Sequence, residues 1–295
     1  MSSDAPSTLD TVSAAVDEAL RQRSRRLLVL GLCGAQGSGK TTLAEALARR
    51  FGAKGVATAR LSIDDIYLSR TERERLGREV HPLLRTRGVP GTHDIALGLD
   101  VIGALDRGDA APLPRFDKAR DDPSPPEQWS HAEAGTTLLI LEGWCVGARP
   151  QPEAALVQPI NALERDEDVD GRWRRHVNTA LAGDYQRLFA RIDLLVLLAA
   201  PGFTIVRDWR IEQERELRVH AAPGDPGVMD DDSVTRFIQH YERLTRHILA
   251  EMPTRADLVV AIAEDRSPTA IVAKHEPALP NRGLHNGTPT PSGEW

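Results

Sequence analysis

An α/β fold, with a mainly parallel five-stranded sheet between helical layers, follows from three observations in the sequence. Residues 34–41 read Gly-Ala-Gln-Gly-Ser-Gly-Lys-Thr, a glycine spacing that lets successive backbone N–H groups turn toward one set of anionic oxygens. The unbroken apolar run at 27–32 precedes it, as a strand buried on both faces requires. A helix follows, with Leu43, Leu47 and Phe51 on one stripe, Ala44, Ala46 and Ala48 beside them and Gly52 able to end it. Strand, loop and helix make this a phosphate-binding loop rather than a glycine-rich turn. Further apolar runs at 56–63, 136–141, 192–198 and 258–263 alternate with helical patterns, the order that builds a parallel sheet.

The remaining elements follow along the chain. Residues 8–25 carry Leu9, Val12, Ala15, Val16 and Leu20 at near-helical spacing and finish in arginines, predicting an amphipathic helix on the core. The strand at 56–63 ends in Ser62-Ile63-Asp64-Asp65, which sets carboxylates at the sheet edge where open α/β folds bind ligands. Residues 69–91 are charged and arginine-rich and read as an irregular, solvated insertion. Thr92 is the expected cap of a helix running to Arg107, with Ile95, Leu99, Ile102 and Leu105 inward and Gly108 as its stop. Pro112, Pro114, Pro123, Pro125 and Pro126 predict a long loop over 111–130.

The strand at 136–141 delivers Glu142-Gly143, residues 150–176 read as polar and irregular, and 178–190 as a helix before the strand at 192–198. An exposed helix is expected over 203–220. Another spans 233–252, with Phe237, Tyr241, Leu244, Ile248 and Met252 inward. From about residue 275 the chain is rich in Pro, Gly, Asn and Thr, so 1–274 reads as one domain and 275–295 as a disordered tail.

Composition narrows the function classes. With 41% hydrophobic residues in 295 the chain can bury a substantial core. A net charge of −6 gives no footprint for nucleic acid or an anionic membrane surface, so an anionic ligand must find locally placed cations. Cys33 and Cys145 are too few for a disulfide framework and fit a reduced, cytoplasmic setting. No signal-peptide pattern opens the chain, and no apolar run is long enough to span a bilayer.

The chemistry is carried by strand ends. In the loop, Gly34, Ala35, Gln36, Gly37, Ser38, Gly39, Lys40, Thr41 and Thr42 would hold the phosphates of ATP, with Lys40 on the β and γ groups and the Thr41 hydroxyl on Mg²⁺. Glu142, ending an apolar strand, is the second metal candidate, and Asp64 the third. Phosphorylating a hydroxyl needs a group that orients it and takes its proton, and Asp64 or Asp65 can do this one strand from the loop. An acidic turn is the plainer reading of such a pair.

Of Arg207, Arg210, Arg215 and Arg218, Arg210 is the first candidate to close over the transferring phosphoryl group, with Arg207 second. An acceptor pocket would draw on Asp65, Tyr67, Arg87, His93, Arg115 and Lys118, from the loops between the second and third core strands. Solvated arginines are the competing account. Trp144, Trp173 and Trp209 read as packing anchors.

These features resemble the phosphoribulokinase, uridine kinase and pantothenate kinase class of P-loop kinases. There the second strand ends in Ser-x-Asp-x-[Phe/Tyr]-Tyr, with the aspartate as base. Ser62-Ile63-Asp64-Asp65-Ile66-Tyr67 is similar, with Ile66 in the aromatic place, which favours Asp64.

The resemblance narrows to the D-glycerate 3-kinase family through Arg87-Gly88-Val89-Pro90-Gly91-Thr92-His93-Asp94, Leu113-Pro114-Arg115-Phe116-Asp117-Lys118, Glu142-Gly143-Trp144 and Trp209-Arg210-Ile211-Glu212-Gln213-Glu214. Family members often carry a glycine- and arginine-rich stretch after Phe-Asp-Lys, where this chain runs Ala119-Arg120-Asp121-Asp122-Pro123-Ser124-Pro125-Pro126. The resemblance implies transfer of the γ-phosphate of ATP to the 3-hydroxyl of D-glycerate.

Together these readings predict a P-loop NTPase three-layer α/β/α sandwich, with acceptor-binding insertions at about 66–130 and a helical lid at about 201–222. The partner expected is a small hydroxy acid, with neither nucleic acid nor membrane involved. A kinase of a nucleoside, pantothenate or sugar phosphate is the nearest alternative. The 4% aromatic content disfavours a base-stacking pocket. A nucleotide switch or assembly ATPase is the alternative of another class, but needs neither the strand-end aspartate nor an arginine lid.

Overall fold

The computed structural model describes residues 7–220 and 230–273, with side chains in the first stretch up to Arg215. Along the chain, α1 (Thr8–Gln22) leads into β1 (Leu28–Gly34), the loop at 35–39, α2 (Lys40–Ala53) and β2 (Thr58–Ser62). Then come α3 (Arg70–Glu79), α4 (Ile95–Arg107) and the short strands β3 (Ala111–Leu113), β4 (Phe116–Asp117), β5 (Asp122–Pro123) and β6 (Ser130–Ala132). Central strand β7 (Leu138–Gly143) precedes α5 (Ala162–Glu167), α6 (Arg172–Ala182), α7 (Asp184–Phe189) and β8 (Leu194–Ala199). The described chain closes with α8 (Phe203–His220), α9 (Asp231–Glu251), β9 (Leu258–Ile262) and β10 (Pro268–Ala273).

The main sheet has the order β10-β9-β8-β1-β7-β2. Its five parallel strands are those expected from the apolar runs, with β1 at the centre between β7 and β8. Every residue of β1 and β7 is buried, which is why their sequences carry no polar side chain apart from Glu142 and Cys33. The sixth strand, β10, is a correction to the five-stranded expectation: it pairs antiparallel with β9 and is largely exposed. Its apolar run, Ala270 to Ala273, is only four residues long and mostly exposed, and Pro268 at its start costs no central ladder bond.

Three loop expectations are replaced by structure. Residues 70–79 form α3, nucleated by a capping box in which the Ser69 hydroxyl accepts from the Glu72 amide and the Glu72 carboxylate from the Ser69 amide. Its inward face carries Arg73 and Gly77 instead of leucines, so no apolar stripe marks it. Residues 111–132 form two small ladders, β3 with β6 and β4 with β5. Residues 162–167 and 172–182 are helical, and the helix expected over 178–190 is the end of α6 and all of α7, broken at Gly183 (ψ −116°).

Two helix readings also change. Asp94, not Thr92, caps α4, accepting from the Leu97 amide. The buried Thr92 hydroxyl instead closes its own loop, accepting from Gly88 N and donating to Val89 O. Helix α8 is not simply solvated: Phe203, Val206 and Trp209 lie inward at three-residue spacing, and Glu214 is buried with them. The expected tail at 275–295 lies outside the described residues. Among the described residues no helix is long and apolar enough to cross a membrane.

Candidate active site

Helix α2 begins at Lys40 with no side-chain cap, whereas α1, α3, α4, α5 and α9 each carry one. Its first N–H groups are therefore left to a ligand, at the positive end of the helix dipole. Gly34 ends β1, Ala35 to Gly39 form the turn, and Lys40, Thr41 and Thr42 open the helix. Gln36 Oε1, Ser38 Oγ and Glu142 Oε2 are buried with no hydrogen-bond partner among the described residues. Such atoms are expensive unless a ligand meets them, at about 1–3 kcal/mol each. The Ser38 hydroxyl fits a phosphate group and the Glu142 oxygen its cation.

Gly37 is required twice over, by its φ of +78° and by Trp209, whose Cβ would lie 2.6 Å from an added Cβ. Gly37→Ala should therefore raise the KM for ATP and lower the melting temperature, the backbone strain alone costing about 1–2 kcal/mol. Thermal unfolding with and without ATP checks this.

Glu142 is delivered by β7 directly beside β1, and its Oε1 accepts from the Thr41 hydroxyl at 3.2 Å. A buried carboxylate with one oxygen on the loop threonine and the other unpartnered fits a hard divalent cation such as Mg²⁺. Strand β2 lies on the other side of β7, with Ser62 opposite Glu142, so Asp64 follows two residues past that register.

Asp64 is the centre of the acceptor side. Its carboxylate accepts from the Tyr67 hydroxyl at 2.8 Å and from Lys118 Nζ at 2.8 Å. Burial would raise its pKa, but Lys118 and Lys40 together with these hydrogen bonds outweigh it and hold the carboxyl well below the usual range. Asp65 points elsewhere: it accepts from Arg115 at 2.8 Å and from the Phe116 amide, and burial raises its pKa despite Arg115. Tyr67, buried and beside Asp64, is raised well above 10 and stays a neutral donor.

His93 is 5% exposed, stacks on Tyr67 at 4.5 Å between ring centroids and shares a 2.5 Å hydrogen bond with Tyr185 through Nδ1. Burial drops its pKa to about 3, so it is a neutral imidazole. Arg87 lies over the Phe116 ring and pairs with Asp121. Its loop is held by Tyr241 Oη–H donating to Arg87 O and by Trp144 Nε1–H donating to Gly88 O. A Cβ at Gly88 would sit 1.9 Å from the Tyr241 hydroxyl.

The arginines of α8 are less centrally placed. Arg210 pairs with buried Glu214 and lies over Phe237, though its charge still reaches the Tyr241 phenol, as do those of Asp64 and Arg87. Arg207 pairs with Asp208 and Arg215 with Asp231. The side chain of Arg218 is outside the described set. Trp209 and Glu212 hold Arg266, a residue with no marking pattern in the sequence: it covers the indole, pairs with Glu212 and donates to Gly37 O at 2.7 Å.

Asp121, Arg73, Tyr185 and Tyr241 are the other site neighbours that residue patterns left out. Tyr241 had a usable signal in its inward place on the helix over 233–252, whereas the Ser69-x-x-Glu72 capping box marks where α3 starts and not which face Arg73 takes. Trp144, Trp173 and Trp209 are buried packing anchors as expected.

No protein-family model matches the chain. It is 35% identical over 227 residues to the uncharacterized kinase mug58 of Schizosaccharomyces pombe, covering 73% of this chain and 79% of that one. Identity to the chloroplastic D-glycerate 3-kinase of Arabidopsis thaliana is 29% over 256 residues, 82% of this chain and 54% of the plant protein, so the chain spans about half of that relative's length. The fold is shared with D-glycerate 3-kinase from Cryptococcus neoformans, with a TM-score of 0.74 and 23% identity over 92% of this chain and all of that one. By these relationships and this fold, the chain belongs to the D-glycerate 3-kinase family of P-loop kinases and is an ATP-dependent kinase.

Proposed function

We propose that the chain transfers the γ-phosphate of ATP to the 3-hydroxyl of D-glycerate, yielding 3-phosphoglycerate and ADP. One observation carries this reading: Lys118 and Tyr67, from the two loops between β2 and β7, converge on the Asp64 carboxylate, within the field of the donor-loop Lys40. A strand-end carboxylate set between a cation and a phenol suits a small hydroxylated anion. Residues 66–130 form the acceptor side, and Arg87 and Arg115 are the cations suited to a carboxylate, with His93 shaping the wall behind Tyr67.

The loop amides and Lys40 bind the donor phosphates, and Thr41 and Glu142 would hold Mg²⁺, the two oxygens of Asp64 being taken by Tyr67 and Lys118. When bound, the cation neutralises charge on the phosphate oxygens. Asp64 orients the acceptor hydroxyl. In a loose transition state the nucleophile needs little activation, so the proton moves to Asp64 late, once the attacking oxygen is bonding to phosphorus. Helix α8 acts as the lid at 201–222, bringing Arg210 toward the transferring group. The buried free thiols of Cys33 and Cys145 suit a reducing compartment such as the cytoplasm.

The test is ADP release with Mg·ATP across D-glycerate, L-glycerate, uridine, pantothenate and ribulose 5-phosphate. D-Glycerate should give the highest kcat/KM. A higher value with another compound reassigns the acceptor, and no acceptor-dependent turnover with any of them removes the proposed transfer.

A further inference from the structure

The cations of the acceptor side are already matched with carboxylates of the chain itself: Lys118 with Asp64, Arg115 with Asp65 and Arg87 with Asp121. The first two carboxylates belong to the strand-end pair. Asp121 does not; it lies on the turn between β4 and β5, in the left-handed backbone region at φ +57°. Its two oxygens do different things. Oδ1 accepts from Arg87, and Oδ2 pairs with Arg73 at 2.9 Å.

Arg73 is an anchor that cannot leave. Its side chain is 1% exposed and donates to the carbonyls of Leu68, Arg85 and Asp121 at 3.1, 2.8 and 2.7 Å. Arg87, by contrast, borders solvent. It lies over Phe116, which meets Tyr67 edge-on at 5.2 Å, and Tyr67 donates to Asp64. One aromatic layer thus separates the Asp121–Arg87 pair from the Asp64 carboxylate.

We infer that Asp121 is a built-in occupant of Arg87, displaced by the carboxylate of an anionic acceptor, and that this exchange sets the enzyme's affinity and selectivity for such acceptors. The inference rests on the reading of D-glycerate as acceptor. Exchange leaves no buried charge unpaired, because Arg87 trades one carboxylate for another while Asp121 keeps Arg73. The acceptor gains only the difference between its own pairing and that of Asp121. A neutral hydroxyl compound has nothing with which to displace Asp121, so the pair also screens against uncharged acceptors.

Wild type, Asp121→Asn and Arg87→Ala/Asp121→Asn are compared for kcat and KM with D-glycerate, and for D-glycerate binding by calorimetry with Mg·ADP. Asparagine tolerates the left-handed backbone and leaves a carbonyl for Arg73. Asp121→Asn should lower the Kd and KM for D-glycerate by about twofold to fivefold, the range of a partly exposed ion pair. Its kcat and KM for ATP should stay unchanged, and the double variant should lose the gain.

A folded Asp121→Asn with unchanged or weaker D-glycerate binding overturns the inference while wild-type turnover leaves the substrate reading intact. Tighter binding by the variant with no phosphorylation by wild type upholds the exchange and ends the substrate reading. Absence of binding in both ends the two together. If thermal unfolding shows the asparagine variant misfolded, Arg73→Met/Asp121→Asn, which also removes the buried charge that Asp121 pairs with, replaces it under the same criteria.

Discussion

Asp64→Asn is expected to lower kcat by roughly 10²–10⁴-fold, the range of a positioned general base, while ATP binds almost as before. The loop amides and Lys40 lie on α2 and the preceding turn and do not depend on the strand-end carboxylate for their conformation. What is lost is the acceptor's anchor. The amide retains a carbonyl for the Tyr67 hydroxyl but gives Lys118 no charge to pair with and offers the acceptor proton no base. ADP release in the steady state and calorimetric ATP binding separate the two effects. Asp65→Asn is the control: its carboxylate serves Arg115 and the Phe116 amide, so it should act on acceptor KM more than on kcat. Full turnover by Asp64→Asn, or a larger kcat loss at Asp65, would move the base assignment.

Lys40→Met should be comparably severe, lowering turnover by roughly 10²–10³-fold or more, as removal of a preorganised transition-state donor does. The effect should differ in kind, because on the proposed reading Lys40 serves both partners: it opens α2 beside the donor loop and contributes to the field that keeps Asp64 ionised. Methionine preserves the length and helix propensity of the side chain, so melting temperature should change little while ATP affinity falls along with kcat. Loss of kcat with unaltered ATP binding would confine Lys40 to the transition state. Retention of both would exclude it from the donor site.

How much of this was legible in the sequence depends on what held each part. The central strands β1, β7 and β8 announced themselves as apolar runs because they are buried on both faces, and Glu142, near the end of β7, and Asp64, two residues past β2, stood out as the acids there. The loop was legible because its function constrains consecutive residues. Helix α3 was missed for the opposite reason: its buried face is made by an arginine and a glycine, so hydrophobic periodicity was absent although the capping box was present.

Thr92 was taken for a cap since it precedes an amphipathic run, but a hydroxyl can satisfy its own turn equally well, and Asp94 stood two residues on. Lys118, Tyr67, Arg87 and Arg115 were found as residue types, and their pairings were not. Which carboxylate each cation meets is fixed by contacts up to 54 residues apart, and no local pattern encodes that.

The bond from Arg266 to the Gly37 carbonyl spans 229 positions of the chain. During synthesis the donor loop emerges early, with β1 behind it and α2 ahead, and before the strands β7 and β8 that flank β1. Its clamp, however, lies on the bend before β10, almost the last part of the described chain to be made. The contact that fastens the loop therefore cannot form while only β1, the loop and α2 have been made. Closing that hydrogen bond is a late event of high sequence separation.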